Sequence, residues 1–564
     1  MDISLSLIDW IVIIVYFVGI IVYGISQSKR KNSEEYFLGG RSLTWPVVGI
    51  SLFAANISSS TLIGLAGNAY KLDLTVFNYE WYAVVVLVFF AIFFLPFYLK
   101  SGVYTMPEFL EKRYSKPSRY YFSFITIVGN VLIDTAASLY VGMIVLGVIF
   151  PNTSPNIIIA FLALAAAAYT IPGGLNSVVK TEVIQAIVLI FGSIILTYFA
   201  FSKVGGWGAM MDQLNNLNLQ GVTDKSAKEA LSIVRENDGE WWRQYDSPIV
   251  PWWGLLTGVP LLGFYFWANN QFMVQRVLSS KSLNHGRWGA LFAGLLKLPV
   301  ILIMVIPGTL AFLLYRNGQD ISYQTASGLC ENLADCTDYT YPTLLFDLLP
   351  VGLLGLVVAG LLAAMMSSIS ATFNSASTLI TMDFVKNFNP NISEKGLVRS
   401  GQIATLVLVI MAAIWAPQIG KYGDLFRYLQ DILGYIAPPV VSVFILGLFW
   451  RKASSTGSIV SLLFGMALSM IWVFGTIAGI DHWFFQLHFL LRTTALFVAC
   501  LLVHLIVSLI SPDKHNEESD QLVWSPRLVR EETEELKGLP WYQNYRYLSI
   551  ILLAITAVIV AYFW

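Results

Sequence analysis

Long apolar stretches recur along this 564-residue chain, and they leave few folds open. They fall near residues 7–26, 44–66, 80–99, 118–150, 156–172, 177–202, 250–272, 288–315, 341–383, 398–417, 425–450, 456–478, 484–510 and 547–564. About 20 apolar residues carry a helix across the ~30 Å hydrocarbon core of a bilayer. Backbone facing lipid must satisfy its own hydrogen bonds, so such runs read as helices, whereas a barrel would show ten-residue alternation. Charged residues make up 12% of the chain, half the roughly 25% usual in soluble domains. The expectation is an all-α polytopic membrane protein with about 14 transmembrane helices. The first run has no basic stretch before it and no small-residue cleavage site after it, which marks a retained span rather than a signal peptide.

Basic residues are retained on the cytoplasmic side. Lys29, Arg30, Lys31 and Arg41 follow the first span, and Lys100, Lys112, Arg113, Lys116 and Arg119 follow the third. With similar clusters after later odd-numbered spans, this places the N-terminus outside and, for an even count, the C-terminus outside. The balance of 34 Lys+Arg against 35 Asp+Glu offers no basic excess for nucleic acid. The expected partners are a small solute, its co-ion and the lipid bilayer, with no obligate protein partner evident. Residues 204–249 read as a solvated external loop, and 511–545 as a solvated cytoplasmic linker carrying Glu531, Glu532, Glu534 and Glu535. Cys330 and Cys336 fall in an external loop, where a disulfide can persist, while Cys500 is expected to be packing.

Polar residues inside a span are costly and mark function. The second span holds five polar residues among the six from Asn56 to Thr61. That cluster suits an unwound segment lining a cavity, whose freed carbonyls need a cation or water, better than a polar helix face. The ninth span carries Ala364, Ser367, Ser368, Ala371, Ser375 and Thr378 on one face by i, i+3/i+4 spacing. Small residues there serve close helix packing or, with the interrupted second span, supply neutral oxygens to one Na⁺. Charges inside spans are few: Lys297 and Asp134 each need a partner or a wet cavity, Glu80 and Glu182 lie nearer the interface, and Arg492 can pair or snorkel.

Motifs in order along the chain carry a resemblance. They include Tyr36-Phe-Leu-Gly-Gly-Arg-Ser-Leu43, Ser51-Leu-Phe-Ala-Ala-Asn-Ile-Ser58, Gly64-Leu-Ala-Gly67, Tyr79-Glu-Trp81, Tyr104-Thr-Met-Pro-Glu-Phe-Leu110, Thr181-Glu-Val-Ile-Gln185, Gln275-Arg276, Tyr428-Leu-Gln430 and Gly447-Leu-Phe-Trp-Arg-Lys452. In these the chain resembles the solute:sodium symporter superfamily, most closely its sodium/glucose branch. The resemblance implies a LeuT-type fold of two inverted five-helix repeats, about 43–202 and 250–450, each opening on a broken helix. One extra helix (7–26) would precede them, and extra helices within 451–564 would follow. It also implies one Na⁺, as co-transported ion, held by the carbonyls of Ala54, Ile57 and Ala364 and the hydroxyls of Ser367 and Ser368. Glu182 would lie near a second ion, at a position where relatives have Asp.

For the solute, Asn56, Glu80, Lys297 and Gln430 match residues that hold sugar hydroxyls in relatives. Such side chains supply directed donors and acceptors to a polyol. Phe266-Trp267 stands where relatives keep Tyr-Trp as an inner gate. Thr61 replaces His or Gln, and Gly263 and Ala83 replace polar residues, so the polar framework survives without the determinants of one hexose. The expected function is sodium-coupled import of a glucose- or galactose-like sugar or polyol across the cell membrane (inner or plasma). The alternative is a sodium symporter for myo-inositol, sialic acid or another organic acid. The five His are scattered without ligand spacing, and no P-loop pattern occurs, so an enzyme is not expected.

Overall fold

The computed structural model describes residues 5–27, 32–150, 152–235, 242–243, 250–316, 323–325, 328–330, 332–420, 425–513 and 517–564, without the side chains of 169 and 323–330. Among the described residues the fold is all-α apart from a two-stranded ribbon, Tyr323–Thr325 with Gly328–Cys330. Among the described residues, 10 helices are long and apolar enough to cross a membrane, or up to 12 if each of two bent pairs is one span. Two expected spans fall short of that length. The run at 156–172 is the shorter apolar helix Pro155–Ala168. The run at 250–272 is divided into Trp252–Leu256, Gly258–Phe264 and a π-helical turn, Tyr265–Asn269.

Leu353–Leu379 is the hub. Of the window that qualifies it as a span, 89% is buried, against 22% for Leu7–Ser26 and Tyr545–Tyr562 at the periphery. Small side chains let neighbouring backbones approach it; a Cβ on Gly360 would meet the carbonyl oxygen of Val188 at 3.2 Å. Asp9, on the first helix, accepts from the backbone N–H groups of Gly352 and Gly355 at 2.7 and 2.8 Å, anchoring the hub's N-terminal end. Anionic oxygen at a helix start satisfies donors that the helix itself leaves open. Gly174, at φ +60, turns the chain between the runs at 156–172 and 177–202, and a Cβ there would meet the carbonyl oxygen of Tyr36 at 2.5 Å.

Among the described residues, two span-length helices are bent by more than 40°. Trp45–Asn56 and Ser59–Tyr70 meet at 57°, and Leu283–Lys297 and Ile301–Tyr315 at 44°. The second bend contains Pro299, which removes a backbone donor and clashes with the preceding turn. A third break lies at Asn270, whose ψ of 127° separates the π-helical turn from helix Gln271–Leu278. The helices that open the stretches 43–202 and 250–450 are thus both interrupted.

Both polar segments keep most of their described residues at least partly exposed, as their composition suggests, but each is anchored at a few buried apolar positions. In the first, Ala227, Ala230, Leu231 and Ile233 are buried. The N–H of Ile233 donates to the carbonyl of Phe563 at 2.8 Å, and Asn78 Nδ2 donates to the carbonyl of Ile233 at 2.6 Å. Glu236, Asp238 and Glu240 lie outside the described residues. In the second, Leu522 and Leu536 are buried, and the Trp524 ring packs against Phe93 and Phe449. The charged runs stay largely exposed, while the apolar residues between them dock onto the bundle. Cys336 is disulfide-bonded and Cys500 is free and buried; the side chain of Cys330 lies outside the described residues.

At one end of the bundle a polar lattice ties several helices. Asp383 accepts from Arg119 Nη2 at 2.6 Å, Ser123 Oγ at 2.5 Å and Thr105 Oγ1 at 2.8 Å. Gln275 Nε2 donates to the carbonyl of Phe37 at 2.6 Å and to Thr378 Oγ1 at 3.0 Å. A buried charge is tolerated only with such complete pairing.

Candidate functional site

Helix Trp45–Asn56 stops because Ile57, at ψ 83°, leaves the helical region, and Ser58 caps the next helix by accepting from the N–H of Thr61 at 3.1 Å. The last carbonyls of a helix have no intrahelical partner, so the break exposes oxygens inside the bundle. Ser367 Oγ, on the hub helix, donates to the carbonyl of Ala54 at 3.3 Å. Thr61 Oγ1 takes the carbonyl of Asn56 at 3.2 Å. Ala54, Ile57, Ala364, Ser367 and Ser368 are all at most 4% exposed. Ser368 Oγ is buried with no hydrogen-bond partner among the described residues. An unsatisfied buried hydroxyl costs about 1–3 kcal/mol, which a cation seated against the break would relieve. Neutral oxygens on two facing helices are the donor set that suits a hard monovalent ion.

Beside the break opens a cavity of about 130 Å³. Its lining brings together Asn56, Thr61, Glu80, Gly263, Phe266 and Gln430, six of the expected solute residues, with Ser368 from the cation set. Gly263 contributes bare backbone; a Cβ there would only touch Val86 at 3.4 Å. Phe266 and Trp267 sit on the π-helical turn, ring centroids 5.5 Å apart, and give the wall its aromatic surface. Gln430 Oε1 has no hydrogen-bond partner among the described residues.

Lys297 is placed differently. It ends the helix before the Pro299 bend, is 1% exposed, and does not line the cavity. Its ammonium pairs with the carboxylate of Glu80 and donates to Asn56 Oδ1, with the Trp267 ring centroid at 5.8 Å. It therefore orients two lining side chains from behind. Glu182 is fully buried, and its carboxylate is engaged by the Arg276 guanidinium and the hydroxyl of Ser51. Among the described residues there is no group of three His, Cys, Asp or Glu that could hold a metal ion.

Several lining residues were not singled out from the sequence as solute contacts. Phe426, Leu429, Gln430 and Leu433 follow i, i+3, i+4, i+7 spacing on helix Leu425–Phe449, a face legible in principle once Gln430 was chosen. Asn270 lines the cavity because the helix breaks there; the Asn269-Asn270 pair within an apolar run was the available signal. Asp134 and Ser138 line it from the helix carrying the π-helical turn Asn130–Thr135.

Comparison with known proteins places this architecture. A model of the sodium:solute symporter family matches residues 36–465. Sodium/glucose cotransporter 1 of Ovis aries is 32% identical, covering 94% of this chain and 82% of its own. Sodium/myo-inositol cotransporter 2 of Sus scrofa is 34% identical, covering 82% of this chain and 69% of its own. The substrate-bound outward-open structure of a Na⁺-coupled sialic acid symporter superposes with a TM-score of 0.75 at 22% identity, covering 91% of this chain and 100% of that one. That likeness shows the fold, which is LeuT-type. With an interrupted helix presenting carbonyls to a hydroxyl-bearing neighbour, and with matches spanning nearly its whole length, the chain belongs to the sodium:solute symporter family.

Proposed function

We propose that this multi-pass membrane protein imports a sugar or polyol of glucose or galactose type together with one Na⁺, in the inner or plasma membrane of the cell. The observation that carries the reading is the cavity in which Asn56, Glu80, Gln430 and Thr61 meet beside the helix break and Ser368. Fixed donors and acceptors around an aromatic floor suit a hydroxylated ring. Relatives named for glucose and for myo-inositol support the solute class.

Ala54, Ile57 and Ala364 supply carbonyls and Ser367 and Ser368 hydroxyls to Na⁺. Asn56, Thr61, Glu80 and Gln430 hold solute hydroxyls, with Gly263 leaving room, Phe266 stacking, and Lys297 positioning Glu80 and Asn56. Residues 43–202 and 250–450 act as the two inverted repeats, with both chain termini outside. Glu182, neutralised by Arg276, is reserved for closure rather than for a second ion. Na⁺ enters from outside and joins the two sides of the break, the solute follows, and rocking opens the cytoplasmic side after the polar lattice around Asp383 and Arg276 parts. A potential of ~100 mV contributes about 2.3 kcal/mol per charge and a tenfold Na⁺ gradient about 1.4 kcal/mol. One Na⁺ thus sustains roughly a 500-fold solute gradient.

Purified protein in proteoliposomes tests this, with labelled glucose, galactose, myo-inositol and N-acetylneuraminate and an inward Na⁺ gradient. Sodium-stimulated uptake of a neutral sugar or cyclitol is the expected result. No stimulation for any of these solutes would refute the reading.

A further inference from the structure

Asp134 is the charged group lining the cavity that the proposed solute set leaves unused. It sits in the π-helical turn Asn130–Thr135, a local widening of the helix that recurs at functional sites. It lines the cavity with Glu80, Asn56 and Gln430. Its carboxylate makes no hydrogen bond or ion pair with any described residue. Its backbone carbonyl accepts from Ser138 Oγ at 2.9 Å, and the adjacent Thr135 Oγ1 lies 2.7 Å from Thr372 Oγ1 on the hub helix. The turn is thereby pinned while the carboxylate stays open to the cavity.

The charge balance gives this carboxylate a role. No Lys, Arg or His is among the described residues lining the cavity. Lys297, the cation that could have met an acidic solute, is committed behind the wall to Glu80 and Asn56. With Na⁺ at the break, Glu80 and Asp134 balance Lys297 and Na⁺, and an uncharged solute keeps that balance. We infer that Asp134 is a specificity-determining residue: its carboxylate accepts hydrogen bonds from the hydroxyls of a neutral sugar or cyclitol and excludes sugar acids from the cavity. The inference rests on the sodium–sugar reading and deepens it. Like charges ~5 Å apart at an effective dielectric constant of ~20 cost more than 100-fold in affinity, so the exclusion is strong.

The test uses the full-length protein in proteoliposomes, with sodium-driven uptake of the neutral solute that the wild type accepts and competition by glucuronate and N-acetylneuraminate. Wild-type uptake should be insensitive to a 100-fold excess of either acid. Asp134→Asn should raise the KM for the neutral solute roughly tenfold, because an amide accepts fewer hydrogen bonds than a carboxylate. It should also let glucuronate compete at a concentration at least tenfold lower, with the Na⁺ concentration for half-maximal uptake unchanged. Asp134→Glu should restore the exclusion, and thermal unfolding in detergent should match across the three proteins. An Asn variant with wild-type KM and wild-type exclusion of acids overturns the inference and leaves the sodium–sugar reading standing. Wild-type uptake that glucuronate inhibits as well as a neutral sugar does overturns it too. Absence of sodium-driven uptake of every neutral sugar and cyclitol overturns both.

Discussion

Two buried carboxylates, Glu80 and Glu182, each face a single cation, and the surroundings of the two pairs differ. Glu182 meets Arg276 where both are fully buried, with Ser51 completing the shell. Glu80 meets Lys297 with one side of the pair on the cavity. In the sealed pair the protein must supply every hydrogen bond, and the five-donor fork of Arg does so. In the open pair, water or solute can take positions that the protein leaves vacant, and the compact ammonium of Lys suffices. The sealed pair belongs to the interior, and the open pair to the cavity wall.

Breaking the sealed pair gives the largest effect. Arg276→Met strands Glu182 in the interior, at a cost of about 3–5 kcal/mol, read as a lowered unfolding temperature in detergent. The double variant Arg276→Met/Glu182→Leu should recover most of that loss; failure to recover would mean the pair is not an isolated unit. In the open pair, Lys297→Met should raise the solute KM by about 10- to 100-fold while lowering stability less than Arg276→Met does. Equal losses of stability would erase the distinction. Next in size, Ser368→Ala should raise the Na⁺ concentration for half-maximal uptake roughly tenfold, the loss of a charge-assisted contact. Gln430→Ala should instead weaken the solute several-fold and leave Na⁺ dependence in place.

The smallest effect concerns a third carboxylate, outside the spans. Burial opposes ionisation of Glu532, but Arg287, Tyr545 and Arg546 outweigh it and hold its carboxyl below the usual range. A depressed folded-state value means the stabilisation is present above ~4.3, the ordinary Glu value, and is lost as pH falls through the folded value. Unfolding temperatures at pH 7 and pH 4 should therefore fall less for Glu532→Gln than for the wild type.

How much of this was legible in the sequence depended on the length scale of the signal. Membrane helices announce themselves by hydropathy over 20 residues, and the break at Ile57 by the polar cluster from Asn56 to Thr61. Asn56, Glu80 and Gln430 were reached through resemblance and through the cost of polarity in a span. Lys297 was legible as a charge needing a partner, but its place behind the wall follows from the Pro299 bend and from Glu80, 217 positions away in the chain. Asn270 was hidden because its run is apolar on average while its backbone breaks locally. The packing of 204–249 and 511–545 was hidden because a few apolar residues among many charges do not reveal which surface they will meet.

Helix Leu283–Lys297 has Arg287 near its start, gripping Glu532 with its guanidinium 4.0 Å above the Tyr545 ring, and Lys297 at its end. Ten residues of helix make a stiff rod of about 15 Å. A tilt of that rod as the cavity changes shape must either drag the segment after residue 510 with it or tear the carboxylate from its clasp. One straight helix thus joins the cavity wall to the segment after residue 510.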